Sequence, residues 1–164
     1  MGNGYRYNCK KCGHEYSIHI GSGMLYPMAY EILVNDISEG KYGEDRQRAF
    51  NDTLYAAVNA EKTLYICDKC NHWEIRNDLT IYAPNDPDQI ENESYGDKTV
   101  KELGRVPYVM KYDLKENYHA IKRFYCSCPE CGKRMHKASD MEWNRLACPK
   151  CGELNEAESG ILWD

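Results

Sequence analysis

The apolar positions Tyr26, Tyr30, Leu33 and Ile37 step by four, three and four along the chain, which is one face of a helix. Pro27 suits a first helical position and Gly40 suits a stop. After the turn Gly40-Lys41-Tyr42-Gly43, Asp45 can cap a second helix whose face carries Phe50, Leu54, Ala57 and Val58. The period then shortens. Thr63 to Ile66 reads as a strand, and so does His72 to Tyr82, with Asn77-Asp78 as a turn or bulge and Pro84 as its end. From Pro84 to Asp97 the chain holds five acidic residues, no Lys or Arg and two prolines, and it reads as an exposed acidic loop or linker. Thr99 to Leu103 is expected to form a helical turn stopped by Gly104. Val106 to Tyr112 and Ile121 to Cys126 read as strands, Lys133 to Lys137 and Trp143 to Ala147 as a β-hairpin. Ser159 to Trp163 is expected to add a last strand that packs Trp163 on that hairpin.

Composition shows where such a chain would find stability. Among 164 residues there are fourteen Tyr but two Phe and three Trp, so much of the aromatic core must also satisfy a hydroxyl. Extra staples would help, and nine cysteines are available. An odd number suits a disulfide framework poorly. No apolar segment follows the polar Met1 to Tyr7, and no long apolar run exists to span a membrane. Arg6 stands where a myristoylation signal needs Ser or Thr. A cytoplasmic, reducing compartment with metal-bound thiolates is therefore expected.

Eight cysteines form four C-x-x-C pairs: Cys9/Cys12, Cys67/Cys70, Cys128/Cys131 and Cys148/Cys151. The residues that follow are Gly13, Asn71, Gly132 and Gly152, the types that adopt positive φ most cheaply. A knuckle that turns its amides toward the sulfurs needs that conformation. The first two pairs share the pattern Tyr-x-Cys-x-Lys-Cys-x-His and the last two share Cys-Pro-x-Cys-Gly. Sixteen residues separate Cys131 from Cys148, and 54 separate Cys12 from Cys67, enough for a helical insertion. Likeness and spacing thus predict two four-cysteine sites, Cys9/Cys12/Cys67/Cys70 and Cys128/Cys131/Cys148/Cys151, each holding a structural Zn2+. A thioredoxin-type redox pair would sit in a βαβ pattern, and none surrounds these pairs. Cys126 reads as a small buried side chain leading into the third knuckle, with a slip of ligand register as the alternative.

The last quarter of the chain resembles a generic zinc ribbon. The opening YRYNCKKCGHEY is similar to the start of small FmdB-type regulatory zinc-ribbon proteins and to the first knuckle of rubredoxin. The whole resembles bacterial tandem zinc-ribbon proteins whose function is uncharacterised. That resemblance implies a small, metal-stapled α+β fold: an N-terminal zinc ribbon (1–84) with a helical hairpin inserted at about 26–60, an acidic linker (85–104) and a C-terminal zinc ribbon (105–164). The rubredoxin likeness implies a redox alternative, an electron-transfer iron site or a reactive C-x-x-C pair.

Four thiolates leave a metal no open position for substrate, so no catalytic residue and no enzymatic activity is expected. His14 and His72 lie at matching positions where an imidazole could hydrogen-bond a thiolate. Gly21-Ser22-Gly23 lacks the Lys-Ser/Thr of a phosphate loop and reads as a turn. The formal charge of −5 argues against generic nucleic-acid binding, but the C-terminal region concentrates Lys122, Arg123, Lys133, Arg134, Lys137 and Arg145 around Trp143. The expected function is a non-enzymatic adaptor or regulatory protein with a protein or nucleic-acid partner. No membrane and no small-molecule substrate is implied.

Overall fold

A computed structural model describes residues 2–163; for Ser159 and residues 161–163 only the backbone is described. The chain is a mixture of helices and antiparallel strands and divides into two compact units. The first takes the chain up to Met24, Glu61–Asn77 and everything from Tyr125 onward. The second takes Leu25–Ala60 and Asp78–Phe124. This differs from the expected division at 84 and 104. The chain leaves the first unit twice and returns to it twice, so neither unit is one contiguous segment.

In the first unit, β1 (Gly2–Asn8) and β2 (Glu15–Gly21) form a hairpin in unbroken register from Gly2↔Gly21 to Asn8↔Glu15. Alternation explains β2: Ile18 and Ile20 are buried while Ser17 and His19 are exposed. β3 (Ala57–Ile66) arrives from the second unit and β4 (Trp73–Pro84) returns to it. The C-terminal segment adds β8 (His136–Lys137), a short helix α6 (Asp140–Trp143), β9 (Arg145–Ala147), β10 (Leu154–Glu156) and β11 (Ser159–Trp163). The strand order is β11–β1–β2–β3–β4, with β8 attached to β3 and β9–β10 forming a separate ribbon. The expected hairpin between 133–137 and 143–147 is replaced by these pairings. The last strand exists as expected but lies on β1; the Trp163 side chain falls outside the described residues. Tyr7, Ile18, Ile20, Leu64 and Leu146 form the buried core, flanked by Tyr16, Trp73 and Trp143.

The second unit holds α1 (Tyr26–Ser38), α2 (Glu44–Asn51), α3 (Pro87–Glu91), the two-residue strands β5 (Ser94–Tyr95) and β6 (Lys98–Thr99), α4 (Val100–Leu103), α5 (Lys111–Asn117) and β7 (Tyr118–Lys122). α1 has Pro in its first turn and buries the face read from its periodicity, with Val34 added. α2 ends earlier than expected, Tyr55 turns the chain with φ of 54°, and Ala57–Ala60 are buried in succession within β3. Burial of four consecutive residues requires a strand covered on both faces, not a helix face. β4 runs straight through Asn77-Asp78, where the buried Asp78 carboxylate accepts the Thr80 N–H and hydroxyl.

The acidic segment is not a linker. Asp86 caps α3 by accepting the N–H groups of Asp88 and Gln89, and Ile90 and Val100 are driven into the core at 1% and 0% exposure. Val106 and Val109 are buried without forming a strand, since α5 begins at Lys111. β7 begins before the expected strand, overlaps only its first two residues and pairs with the end of β4. No helix among the described residues is long and apolar enough to cross a membrane.

Candidate metal centres

All four knuckles fold alike. The first cysteine N–H donates to the carbonyl five residues on (His14, His72, Lys133 and Glu153), and the residue after the second cysteine donates back to the first cysteine's carbonyl, at 2.7 to 3.0 Å throughout. Gly13, Asn71, Gly132 and Gly152 take φ of 70°, 56°, 69° and 76°. A Cβ on Gly13, Gly132 or Gly152 would meet nothing within 4 Å, so glycine is there for the backbone conformation and not for space.

The eight expected cysteines gather into two groups of four, each able to hold a metal ion, but in a nested arrangement. Cys9 and Cys12 join Cys148 and Cys151; Cys67 and Cys70 join Cys128 and Cys131. This overturns the expected partnering of the first knuckle with the second and the third with the fourth. The reason lies in backbone pairing. After the third knuckle the chain forms β8, which hydrogen-bonds to β3, the strand entering the second knuckle (Tyr65↔Lys137, Ile66↔His136). After the fourth it forms β11 on β1, the strand entering the first. Loop length argued for the shorter closures, yet doubling a loop costs only about 0.6 kcal/mol, which a single ladder of hydrogen bonds outweighs.

The donor geometry fits a metal. Sulfur separations are 3.5 Å (Cys9–Cys151) and 3.8 Å (Cys12–Cys148) in one group, and 3.4, 3.5 and 3.7 Å in the other. A tetrahedron with metal–sulfur bonds of about 2.3 Å has edges of about 3.8 Å. Against the cost of burial, the N–H groups of Cys12 and Lys11 lower Cys9 to about 6, and those of Cys70 and Lys69 lower Cys67 to about 7. Against the N–H groups of His72 and Glu153, burial and the neighbouring thiols raise Cys70 and Cys151 to about 12. The first cysteine of every pair is buried, whereas Cys70 is exposed. A cleft of about 480 Å³ lined by Cys70, His72, Trp73, Glu130 and Lys150 lies beside it.

Several side chains that carry no metal-binding signature hold the centres together. Asn155, 5% exposed, accepts the Lys10 N–H at 3.2 Å and donates to the Glu153 carbonyl at 2.8 Å, stapling the first knuckle to the fourth. Tyr16 and Trp73 donate to the Leu146 and Ala147 carbonyls at 2.9 and 2.7 Å, just before Cys148. Tyr7 donates to the Trp143 carbonyl and stacks on Tyr16 at 4.8 Å. Nothing in local sequence pairs these residues. The box Ser139-x-x-Glu142 carries a local signal, that of a helix start: Glu142 accepts the Ser139 N–H and hydroxyl, then His136 at 2.7 Å, and these hold its carboxyl down to about 2. His136 thereby faces Asp68 and Glu142.

The remaining expected residues separate. His14 and His72 close their knuckles through backbone carbonyls, His14 stacks on Tyr16 at 6.1 Å, and neither imidazole reaches a sulfur among the described residues. Lys133, Arg134, Lys137 and Arg145 are exposed in the first unit, and Arg134 lies 3.9 Å over the Tyr125 ring. Lys122 and Arg123 belong to the second unit, where Lys122 is bound to Asp45 at 3.0 Å. Trp143 is half-buried against Tyr5. Cys126 joins neither group; it is buried beside Glu74 and Met135, and burial pushes its thiol up to about 11. No protein-family model, curated protein or solved structure matches this chain.

Proposed function

We propose that the first unit is a pair of interlocked zinc ribbons, that its two metals are Zn2+ in a purely structural role, and that the protein is a cytoplasmic, non-enzymatic adaptor. One observation carries this reading: each group supplies four sulfurs at tetrahedral spacing, which leaves a bound metal no position for substrate. Zinc in such a site contributes folding energy and no chemistry. The partner surface on this reading is the exposed set Lys133, Arg134, Lys137 and Arg145 with Tyr125, a cationic and aromatic combination suited to single-stranded nucleic acid. Trp143 and Lys122 are engaged elsewhere and drop out of that surface.

The test is a metal count on the purified chain followed by binding to single-stranded RNA. Two zincs per chain and a colourless protein are expected. A red protein with iron would replace the adaptor by an electron carrier. RNA affinity is expected to fall steeply between about 50 and 200 mM salt, as phosphate contacts require, and to be lost when Lys133, Arg134 and Lys137 are replaced by Gln. RNA binding that ignores both changes would place the contact on another surface, and no RNA binding would leave a protein as the partner.

A further inference from the structure

The two centres meet solvent differently. In the second, Cys67 and Cys128 are buried, Cys131 is half-buried and Cys70 is exposed; Cys12, the corresponding sulfur of the first, is half-buried. Cys70 also forms part of the wall of the 480 Å³ cleft, beside His72, Glu130 and Lys150. Cys148 of the first centre borders the same cleft but is only 2% exposed. The knuckles of the first centre are tied across by Lys10 to Asn155 at 3.2 Å and Lys11 to Glu153 at 3.7 Å. The cleft thus gives small molecules a path to one sulfur of the second centre.

Backbone shielding runs the same way. Cys9 accepts the N–H groups of Lys11 and Cys12, and Cys67 those of Lys69 and Cys70, whereas Cys70 accepts one, from His72. Each N–H bonded to a sulfur draws charge from it, so a thiolate with few donors and much solvent is the better nucleophile. A coordinating thiol is deprotonated outright, so the reactive form is present whenever the centre is filled. Two sulfurs of the third knuckle touch Cys70: Cys128 at 3.5 Å and Cys131 at 3.7 Å. Cys128 is buried, and Cys131 shares the open side of the centre with Cys70.

We infer that Cys70 is an oxidation site at which hydrogen peroxide opens the second centre, leaving a disulfide between Cys70 and Cys131. The inference rests on reading the centres as zinc sites. The Cys70 thiolate attacks one peroxide oxygen, the O–O bond breaks, hydroxide leaves and Cys70 becomes a sulfenic acid. The Cys131 thiolate then attacks the Cys70 sulfur, the S–O bond breaks and a second hydroxide leaves. Each sulfur gives up one electron, the peroxide takes two, and solvent protonates both hydroxides. The site keeps two of its four donors, too few for a closed tetrahedron, and releases its metal. Lys133, Arg134 and Lys137 follow directly on the third knuckle. The proposed RNA surface is therefore the part of the unit that oxidation loosens.

The experiment treats the whole chain, loaded with zinc, with hydrogen peroxide. Zinc release is followed with a chelating dye and disulfides by peptide mass spectrometry. Lys69 and Glu130 separate the two cysteines of the second and third knuckles, so proteolysis resolves all four. One zinc is expected to leave ahead of the other, together with formation of a Cys70–Cys131 disulfide. Limiting N-ethylmaleimide should label Cys70 faster than the other seven ligand cysteines by on the order of tenfold. Cys70→His keeps four donors and should retain two zincs while slowing peroxide-driven release on the order of tenfold. The inference is overturned by equal release from both centres, by any other disulfide, by another ligand cysteine labelled first, or by unslowed release from Cys70→His. The zinc count before treatment judges the zinc reading by itself. A chain without zinc removes that reading and the inference together; two zincs followed by any of these results removes the inference alone.

Discussion

The two units hold themselves together by different means. The second has seventeen buried apolar residues in one cluster, drawn from helices and strands alike. Among the described residues, the first has a cluster of five, ringed by half-buried aromatics whose polar tips grip backbone carbonyls, with Tyr65, Met135, Ala147 and the first cysteine of every knuckle buried outside that cluster. On the proposed reading, eight metal-bound cysteines would add stability to that smaller cluster. The comparison teaches that metal and apolar burial can stand in for one another as sources of stability within one chain. It also explains why the first unit can be assembled from three separated segments. Centres that clamp remote knuckles do not need a continuous chain between them.

The comparison can be broken most severely by removing metal. A structural Zn2+ site is worth roughly 10–16 kcal/mol, so a strong chelator should abolish amide-exchange protection in β1, β2 and β9 and leave α1 and α5 protected. If exchange rose equally in both units, the division of stability drawn above would be wrong. Next in size is the nested pairing. Cys148→Ser should empty the Cys9/Cys12 centre alone, leaving one metal per chain. Cadmium NMR would show whether the surviving signal couples to Cys128 and Cys131; a surviving signal from Cys9 would refute the nested arrangement.

Smaller effects sharpen the contrast. Leu146→Ala and Ile81→Ala, at 1% and 0% exposure, each remove a buried side chain and should each cost about 2–5 kcal/mol. Only the first should also speed metal release to a chelating dye, because Leu146 lies two residues before Cys148 and its carbonyl accepts the Tyr16 hydroxyl. Equal release rates would mean that the two cores are energetically one. The smallest effect concerns pH. Burial first, and Asp113 second, raise the Glu93 carboxyl above 4.5, so its folded form holds a proton more tightly than the unfolded chain does. The stability it lends is full below the ordinary glutamate range and is lost as pH rises through the raised value. Glu93→Gln should therefore raise the thermal midpoint at neutral pH, with the gain vanishing below about pH 4. A midpoint lowered at neutral pH would reveal a cationic partner for Glu93.

How much of this was legible in the sequence depended on whether the cause was local. The helix over Tyr26–Ser38 follows from a period of about 3.6 with Pro at its start. Each knuckle follows from two cysteines and a following Gly or Asn, since the positive φ is demanded within a few residues. The Asp86 cap and the Ser139–Glu142 box are just as local, yet the first sits in a segment that reads as an acidic loop and the second where no helix is expected. The buried role of Ile90 and Val100 was not legible, because an acidic run hides single apolar residues whose environment comes from distant strands. Asn155 and Trp73 fall in the same class: each acts on a carbonyl or amide that the sequence places far away.

By itself the sequence determined that eight of nine cysteines would gather in groups fit for metal and that four turns would share one conformation; that Cys126 stands apart, and not in a slipped ligand register, is seen in the structure. These are short-range consequences of residue type. Which knuckle meets which was decided only by tertiary structure. Sequence likeness and loop length favoured neighbours, but the ladders β8 on β3 and β11 on β1 carry the third knuckle to the second and the fourth to the first. Closing a longer loop costs little more than closing a short one, whereas a strand left unpaired forfeits every hydrogen bond along its edge.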